Sequence, residues 1–211
     1  MEKMLKSYSI KDDFSLLSIM IIPIGIALNV VGDQLVAILK LPIYLDVLGT
    51  VLTGMLTGPW VAALTGFLTN LITGIIRNPT LIPYGIVNAA VGLVAGFCSR
   101  RYWFTKDWRF WALTMFLMTI ITNLTASPIT VFFFSGINGN GGTSLLTAGL
   151  IASGQGIWKS VLSVDLPFTL IDRIISFFVS LMIIRVIPER SLIKFACGQQ
   201  YIRERKGSGD D

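Results

Sequence analysis

Carboxylates and carboxamides set into apolar runs are the chemically telling residues of this 211-residue chain. Asp33, Asp46 and Asp172, with Asn70, Asn88 and Asn123, lie within or at the ends of hydrophobic stretches. Arg77 and Arg173 stand near them, and Tyr44, Tyr84 and Trp158 mark the ends of the same stretches. An ionised group at the centre of a bilayer costs about 2.5–3.5 kcal/mol on insertion scales, so such groups turn toward a helix bundle or a wet cavity. There they can hold a small polar molecule by hydrogen bonds and ion pairs. Covalent chemistry is poorly served. Histidine is absent, which removes His-based acid–base catalysis, His-dependent nucleophiles and HExxH zinc sites. Cys98 and Cys197 are the only cysteines and form no CxxC spacing, so neither a disulfide framework nor a metal cluster follows. The residues thus point to binding rather than catalysis, with no cofactor or metal expected.

The elements that position these groups are helices in a membrane. Hydrophobic residues make up 53% of the chain and charged ones 14%, and the mean hydropathy is +0.72. Runs of roughly 20 apolar residues match a hydrocarbon layer about 30 Å thick. The pattern predicts an all-α, single-domain bundle over 1–211 with spans at 16–39, 43–58, 59–76, 81–98, 110–134 and 165–187. Asp13 or Ser15 caps the first span and Pro23 falls inside it. Pro59 takes the favoured first helical position of the third. Asp165 reads as the N-cap of the last, with Pro167 in its first turn. The opening MEKMLKSYSIKDDFS is charged and lacks a cleavage pattern, so the first apolar run is expected to be retained. The tail GSGDD reads as a flexible end.

Charge placement orients the bundle. With six spans and both termini cytoplasmic, Lys3, Lys6, Lys11, Arg100, Arg101, Lys106, Arg109, Arg185, Arg190, Lys194, Arg203, Arg205 and Lys206 lie inside. Lys40, Arg77, Lys159 and Arg173 are the exceptions among the 17 basic residues. That satisfies the positive-inside rule. A seventh span through 143–163 would place every basic residue from Arg185 onward outside, so this segment is expected to be a helix capping the outer face. The net charge of +5 does not indicate nucleic acid, because no basic stripe is interleaved with aromatics.

In this orientation the intramembrane polar residues gather toward the outer face. Asp165, Thr169, Asp172, Ser176 and Ser180 of the last span fall within about 80° of one another on a helix and form an inward stripe. Packing accounts are available for individual residues. Asn29 can bond across a helix interface, and Arg173 can reach the outer interface from beside Asp172. Tyr44, Tyr84 and Trp158 suit an interfacial belt, and solvation suffices for Arg77 and Asn78. Collectively, these polar groups argue for a pocket open to the outside, bordered by Asp33, Tyr44, Asp46, Asn70, Arg77, Asn78, Tyr84, Asn88, Asn123, Trp158, Asp172 and Arg173. A continuous channel would need polar lining on both sides.

Between Leu41 and Gly74 small and polar residues recur every fourth position, giving the ridges Asp46, Thr50, Gly54, Gly58 and Ala62, Gly66, Asn70, Gly74. Small residues let helices approach closely in lipid. The LP-x-x-x-D lead of Leu41, Pro42 and Asp46, with Gly49, Gly54, the Gly58-Pro59 turn, Ala62 and Gly66, resembles the substrate-binding S components of energy-coupling factor (ECF) vitamin transporters. The resemblance implies a multi-pass protein of the bacterial cytoplasmic membrane. It would bind a vitamin or related micronutrient from outside and partner a transmembrane coupling subunit and two cytoplasmic ATPases. The chain has no Walker A motif, so ATP is hydrolysed in trans. S components often carry an Ala-x-x-x-Ala docking motif in the first helix, which Pro23, Gly25, Ala27 and Gly32 do not reproduce. Docking is then expected to use Gly25, Ala27, Gly54, Gly58, Ala62 and Gly66. Similarity to the cobalamin type makes a corrinoid the first expectation, and the Gly/Asn-rich SGINGNGG loop suits a bulky ligand. Riboflavin, pantothenate, folate and pyridoxine stay open.

Two other readings fit the same residues. An autonomous secondary transporter would use Asp33, Asp46 or Asp172 for ion coupling, although such sites usually lie at the midplane of repeated, broken helices. A membrane scaffold needs only the small-residue ridges. Binding of a small molecule separates the scaffold from both transport readings.

Overall fold

Ser15 begins the first helix: its Oγ accepts from the Ser18 N–H at 3.2 Å, and α1 (Leu16–Leu39) follows with Pro23 inside it. The computed structural model describes residues 10, 13–138 and 140–207. Lys3, Lys6, Lys11 and the tail from 208 lie outside the described residues, as do the side chains of Arg205 and Lys206. On α1 the buried residues Ile21, Ile22, Gly25, Asn29, Gly32 and Val36 recur every three or four positions, as one face of a helix must. Ile24, Val31, Leu35 and Ile38 on the opposite face are more than half exposed, which suits a lipid-facing side.

The remaining elements are α2 (Leu48–Thr57), α3 (Pro59–Ile76), a 3-10 turn (Pro79–Tyr84), α4 (Gly85–Arg100), a short 3-10 turn (Trp103–Thr105), α5 (Trp108–Phe134), α6 (Gly141–Ala152), α7 (Ile157–Val186), α8 (Glu189–Leu192) and α9 (Gln199–Gly207). Among the described residues five segments are long and apolar enough to cross a membrane: α1, α3, Pro79–Arg100, α5 and α7. α2 is different. Its 10 residues cover about 15 Å, yet every one from Gly49 to Thr57 is buried. It is the core of the bundle, packed against α1, α3, α4 and α7.

A buried short helix must satisfy both of its ends internally. Asn29 of α1 serves the first, its Oδ1 accepting from the Gly49 N–H at 2.6 Å and the Thr50 N–H at 3.3 Å. Its Nδ2 donates to the Thr50 and Thr69 hydroxyls at 2.8 and 2.9 Å. At the other end, Ser99 Oγ and Tyr201 O–H donate to the Met55 carbonyl, and Cys197 N–H donates to that of Leu56 at 2.9 Å. Burial pushes the Cys197 thiol above its ordinary range. The C-terminal segment thus plugs the end of α2. Asp13 is at the same end, ion-paired with Arg100 and accepting from the Trp60 N–H at 3.2 Å, so it is not the α1 cap.

The small-residue ridges are internal seams. A Cβ on Gly49 would overlap the Gly25 backbone, one on Gly66 would meet Asn88 O, and one on Gly92 the Ala62 backbone. Gly58, at φ +117°, makes the bend that Pro59 then turns into α3. Gly25, Gly54, Gly58, Ala62 and Gly66 are all buried against the chain's own residues, and of the expected docking set only Ala27 is exposed. In this conformation close helix packing occupies the five buried positions.

Three boundaries also differ from the sequence reading. The second span was expected from Ile43, but helix begins at Leu48; Leu45 has φ +49° and its N–H is held by Asp172 Oδ1 at 2.7 Å. The fourth begins as a 3-10 turn before α4. The last was expected to start at Asp165, yet α7 runs from Ile157 with Gly156 as its N-cap. Asp165 is therefore an interior residue of a 30-residue helix, and Pro167 lies within it rather than in its first turn. The expected cap helix over 143–163 is divided accordingly into α6, a turn containing Gly154 at φ +91°, and the start of α7.

Candidate ligand-binding cavity

At the end of the bundle away from Asp13 and α9, the second halves of α1, α3 and α5 meet the start of α4 and the middle of α7 around a cavity of about 290 Å³. The non-helical 41–47 segment and the loop before α6 supply the rest of its wall. Each side chain is placed by a specific partner. Asn88 Nδ2 donates to Asp46 Oδ2 at 2.9 Å and to Asn70 Oδ1 at 2.7 Å, while Asn70 Nδ2 donates to the Leu81 carbonyl at 3.2 Å. The 41–47 segment, α3, the 3-10 turn and α4 are thereby cross-linked. Elsewhere in the lining Tyr44 O–H donates to Asp165 Oδ1 at 2.8 Å. Tyr84 bonds the Thr130 hydroxyl at 2.8 Å and stacks on Phe134 with centroids 6.0 Å apart.

The two covering segments hold one another. Asn138 Nδ2 donates to Tyr44 Oη at 2.9 Å and Asn140 Nδ2 to the Ile43 carbonyl at 2.8 Å. Asn140 Oδ1 also caps α6 by accepting from Gly142 and Thr143 N–H. At the mouth Arg77 pairs with Asp33, their side chains 32% and 27% exposed. Below, Arg173 pairs with Asp172 at 2.5 Å, 2% and 0% exposed, and its Nη2 donates to the Thr122 hydroxyl at 3.1 Å. Arg173 therefore does not reach out to an interface; the bundle encloses it. Arg173 Nε and Asn123 Oδ1 are buried without a hydrogen-bond partner, and both residues line the cavity. Among the described residues no group of three or more His, Cys, Asp or Glu is arranged to hold a metal ion.

Of the residues singled out from sequence, Asp33, Tyr44, Asp46, Asn70, Arg77, Asn78, Tyr84, Asn88, Asn123 and Arg173 line this cavity. Asp172 does not. It lies behind the wall, where it holds Arg173 and the Leu45 N–H. Trp158 is also elsewhere: the early start of α7 carries it to an exposed position edge-on to Phe132, 5.6 Å between centroids. Lys40, Thr122, Thr130, Asn138, Asn140 and Asp165 line the cavity without having been singled out as contacts. Asp165 belongs to the inward polar stripe, a signal that its reading as a cap obscured. Lys40 was counted only as a topological charge.

The family model of the ECF transporter substrate-specific component matches residues 17–184. The chain belongs to that family. It is a transporter subunit and not an enzyme, and its long apolar helices make it a multi-pass membrane protein. For an S component, the family implies a small-molecule substrate and an ECF coupling and ATPase module as partner. No curated protein and no solved structure matches the chain.

Proposed function

We propose that this S component is the high-affinity substrate-binding subunit of an ECF-type ABC importer in the cell membrane, taking a vitamin or related micronutrient from outside while partner subunits hydrolyse ATP. The observation that carries this reading is the cavity of about 290 Å³, set with polar side chains, at the end of the bundle opposite Asp13 and α9. Apolar enclosure with a few placed polar groups is the usual form of a small-molecule site. Arg100, Arg101 and the segment after Arg185 sit at the other end, which supports cytoplasmic termini under the positive-inside rule. The short α2 with its extended lead would complete a sixth crossing. A corrinoid, the first expectation from sequence, and a smaller vitamin both fit this reading, and the identity of the bound molecule decides between them. Reconstitution with the coupling module tests the proposal: uptake is expected only with coupling subunit, ATPases and ATP. Uptake that persists without them and collapses with the proton or sodium gradient overturns it. Mass spectrometry of the purified subunit is expected to reveal a copurifying vitamin or related micronutrient.

A further inference from the structure

The charges around the cavity do not balance evenly along its depth. Toward the interior, Arg173 is already paired with Asp172 at 2.5 Å. Asp46 and Asp165 also line the cavity, and neither has a cationic partner among the described residues. Only neutral donors reach them. Asp46 Oδ2 accepts from the Asn88 amide at 2.9 Å, and Asp165 Oδ1 from Tyr44 O–H at 2.8 Å and the Asn138 amide at 3.5 Å. The second oxygen of each carboxylate, Asp46 Oδ1 and Asp165 Oδ2, accepts no hydrogen bond from any described residue. Asp165 is only 5% exposed, so its charge is largely withdrawn from water. The cations that remain, Lys40 and Arg77, lie toward the mouth, where Arg77 is held by Asp33.

A buried carboxylate without a counter-charge, as Asp165 is, is costly, and a cation brought beside it and the half-buried Asp46 relieves that cost. We propose that the ligand of this cavity carries a positively charged nitrogen, a protonated amine or a cationic heterocycle with its own N–H donors, seated against Asp46 and Asp165. The inference rests on the substrate-binding reading above and narrows it to a chemical class. An anionic ligand would find the interior guanidinium already neutralised and two carboxylates opposing it. The neutral partners have a role here too: Tyr44, Asn88 and Asn138 fix one oxygen of each carboxylate and leave the other for the ligand.

The test is calorimetric titration of the ligand-stripped, full-length subunit in detergent with thiamine, pyridoxamine, pyridoxine, riboflavin, pantothenate and nicotinate, each in sodium and sodium-free buffer. The tightest binder is expected to be thiamine or pyridoxamine, the members that bring a cationic group. Pyridoxamine and pyridoxine differ at one substituent, amine against hydroxyl, so a preference for the amine reports charge directly. Asp165→Asn and Asp46→Asn keep the shape and the existing hydrogen-bond acceptor, and each is expected to weaken the cationic binder by about tenfold or more. Binding confined to neutral or anionic members, sodium-dependent or not, overturns the inference while leaving the substrate-binding reading intact. A larger loss with Lys40→Gln than with either aspartate variant also overturns it. Binding of no member overturns the inference, while the substrate-binding reading is judged separately by the reconstitution above.

Discussion

Asn88 gives its amide hydrogens to Asp46 and Asn70, so one side chain fixes the positions of two others in the cavity wall. Asn88→Ala removes both bonds, and ligand affinity is expected to fall about 10- to 100-fold, the equivalent of about 1–3 kcal/mol. Calorimetry of the purified variant checks this, with circular dichroism expected to show the native helix content. Asp172 was grouped with Asn88 in the sequence reading, but its position behind the wall gives its substitution a different signature. Asp172→Asn leaves the Arg173 guanidinium buried without its counter-charge, a change that costs about 3–5 kcal/mol where buried pairs have been broken. A fall in melting temperature of about 10 °C is the expected result, and an unchanged melting temperature would count against a structural role for the pair. The polar stripe that placed these residues was legible because it follows helical periodicity. Which member touches the cavity and which supports it depends on Leu45, a backbone partner more than a hundred residues away that no local pattern reveals.

Helix boundaries were most legible where the stop and start signals are local. Ser15 and the Gly58-Pro59 turn fix the starts of α1 and α3 at the expected residues. They failed where tertiary contacts decide: α2 loses its expected first turn because Leu45 bonds Asp172, and α7 gains two turns in which Ser160, Val161 and Val164 are buried against the rest of the bundle. Asn29 illustrates the same limit. The sequence marks it as a polar residue in an apolar helix, but only the fold shows that it caps a different helix. Asn29→Ala removes two acceptor bonds at the start of α2 and two donor bonds to Thr50 and Thr69. The expected loss is about 2–4 kcal/mol of stability, read as a lower melting temperature in detergent. If the variant melts as the wild type does, the core role assigned to α2 is wrong.

Across the whole molecule, the two ends of the bundle differ in kind. One gathers Asp13, Arg100 and the segment that closes α2; the other holds the cavity and its covering loops. The family and the all-helical architecture were legible in the sequence because composition and the Leu41 to Gly74 pattern are local properties. The fate of the small residues was not, since a ridge of glycines looks the same whether it receives a neighbouring helix or a partner subunit. Gly25, Gly54 and Gly66 are buried within the chain, so a partner could use these seams only once they open. Orientation is the molecular-scale property on which function turns, because a cavity facing the cytoplasm could not collect a ligand from outside. In a cysteine-free background, Lys40→Cys at the cavity mouth is expected to react with an impermeant maleimide added to intact cells. Arg190→Cys, beyond α7 at the opposite end, is expected to react only after permeabilisation. The reverse pattern would place the cavity inside and exclude uptake from the exterior through this site.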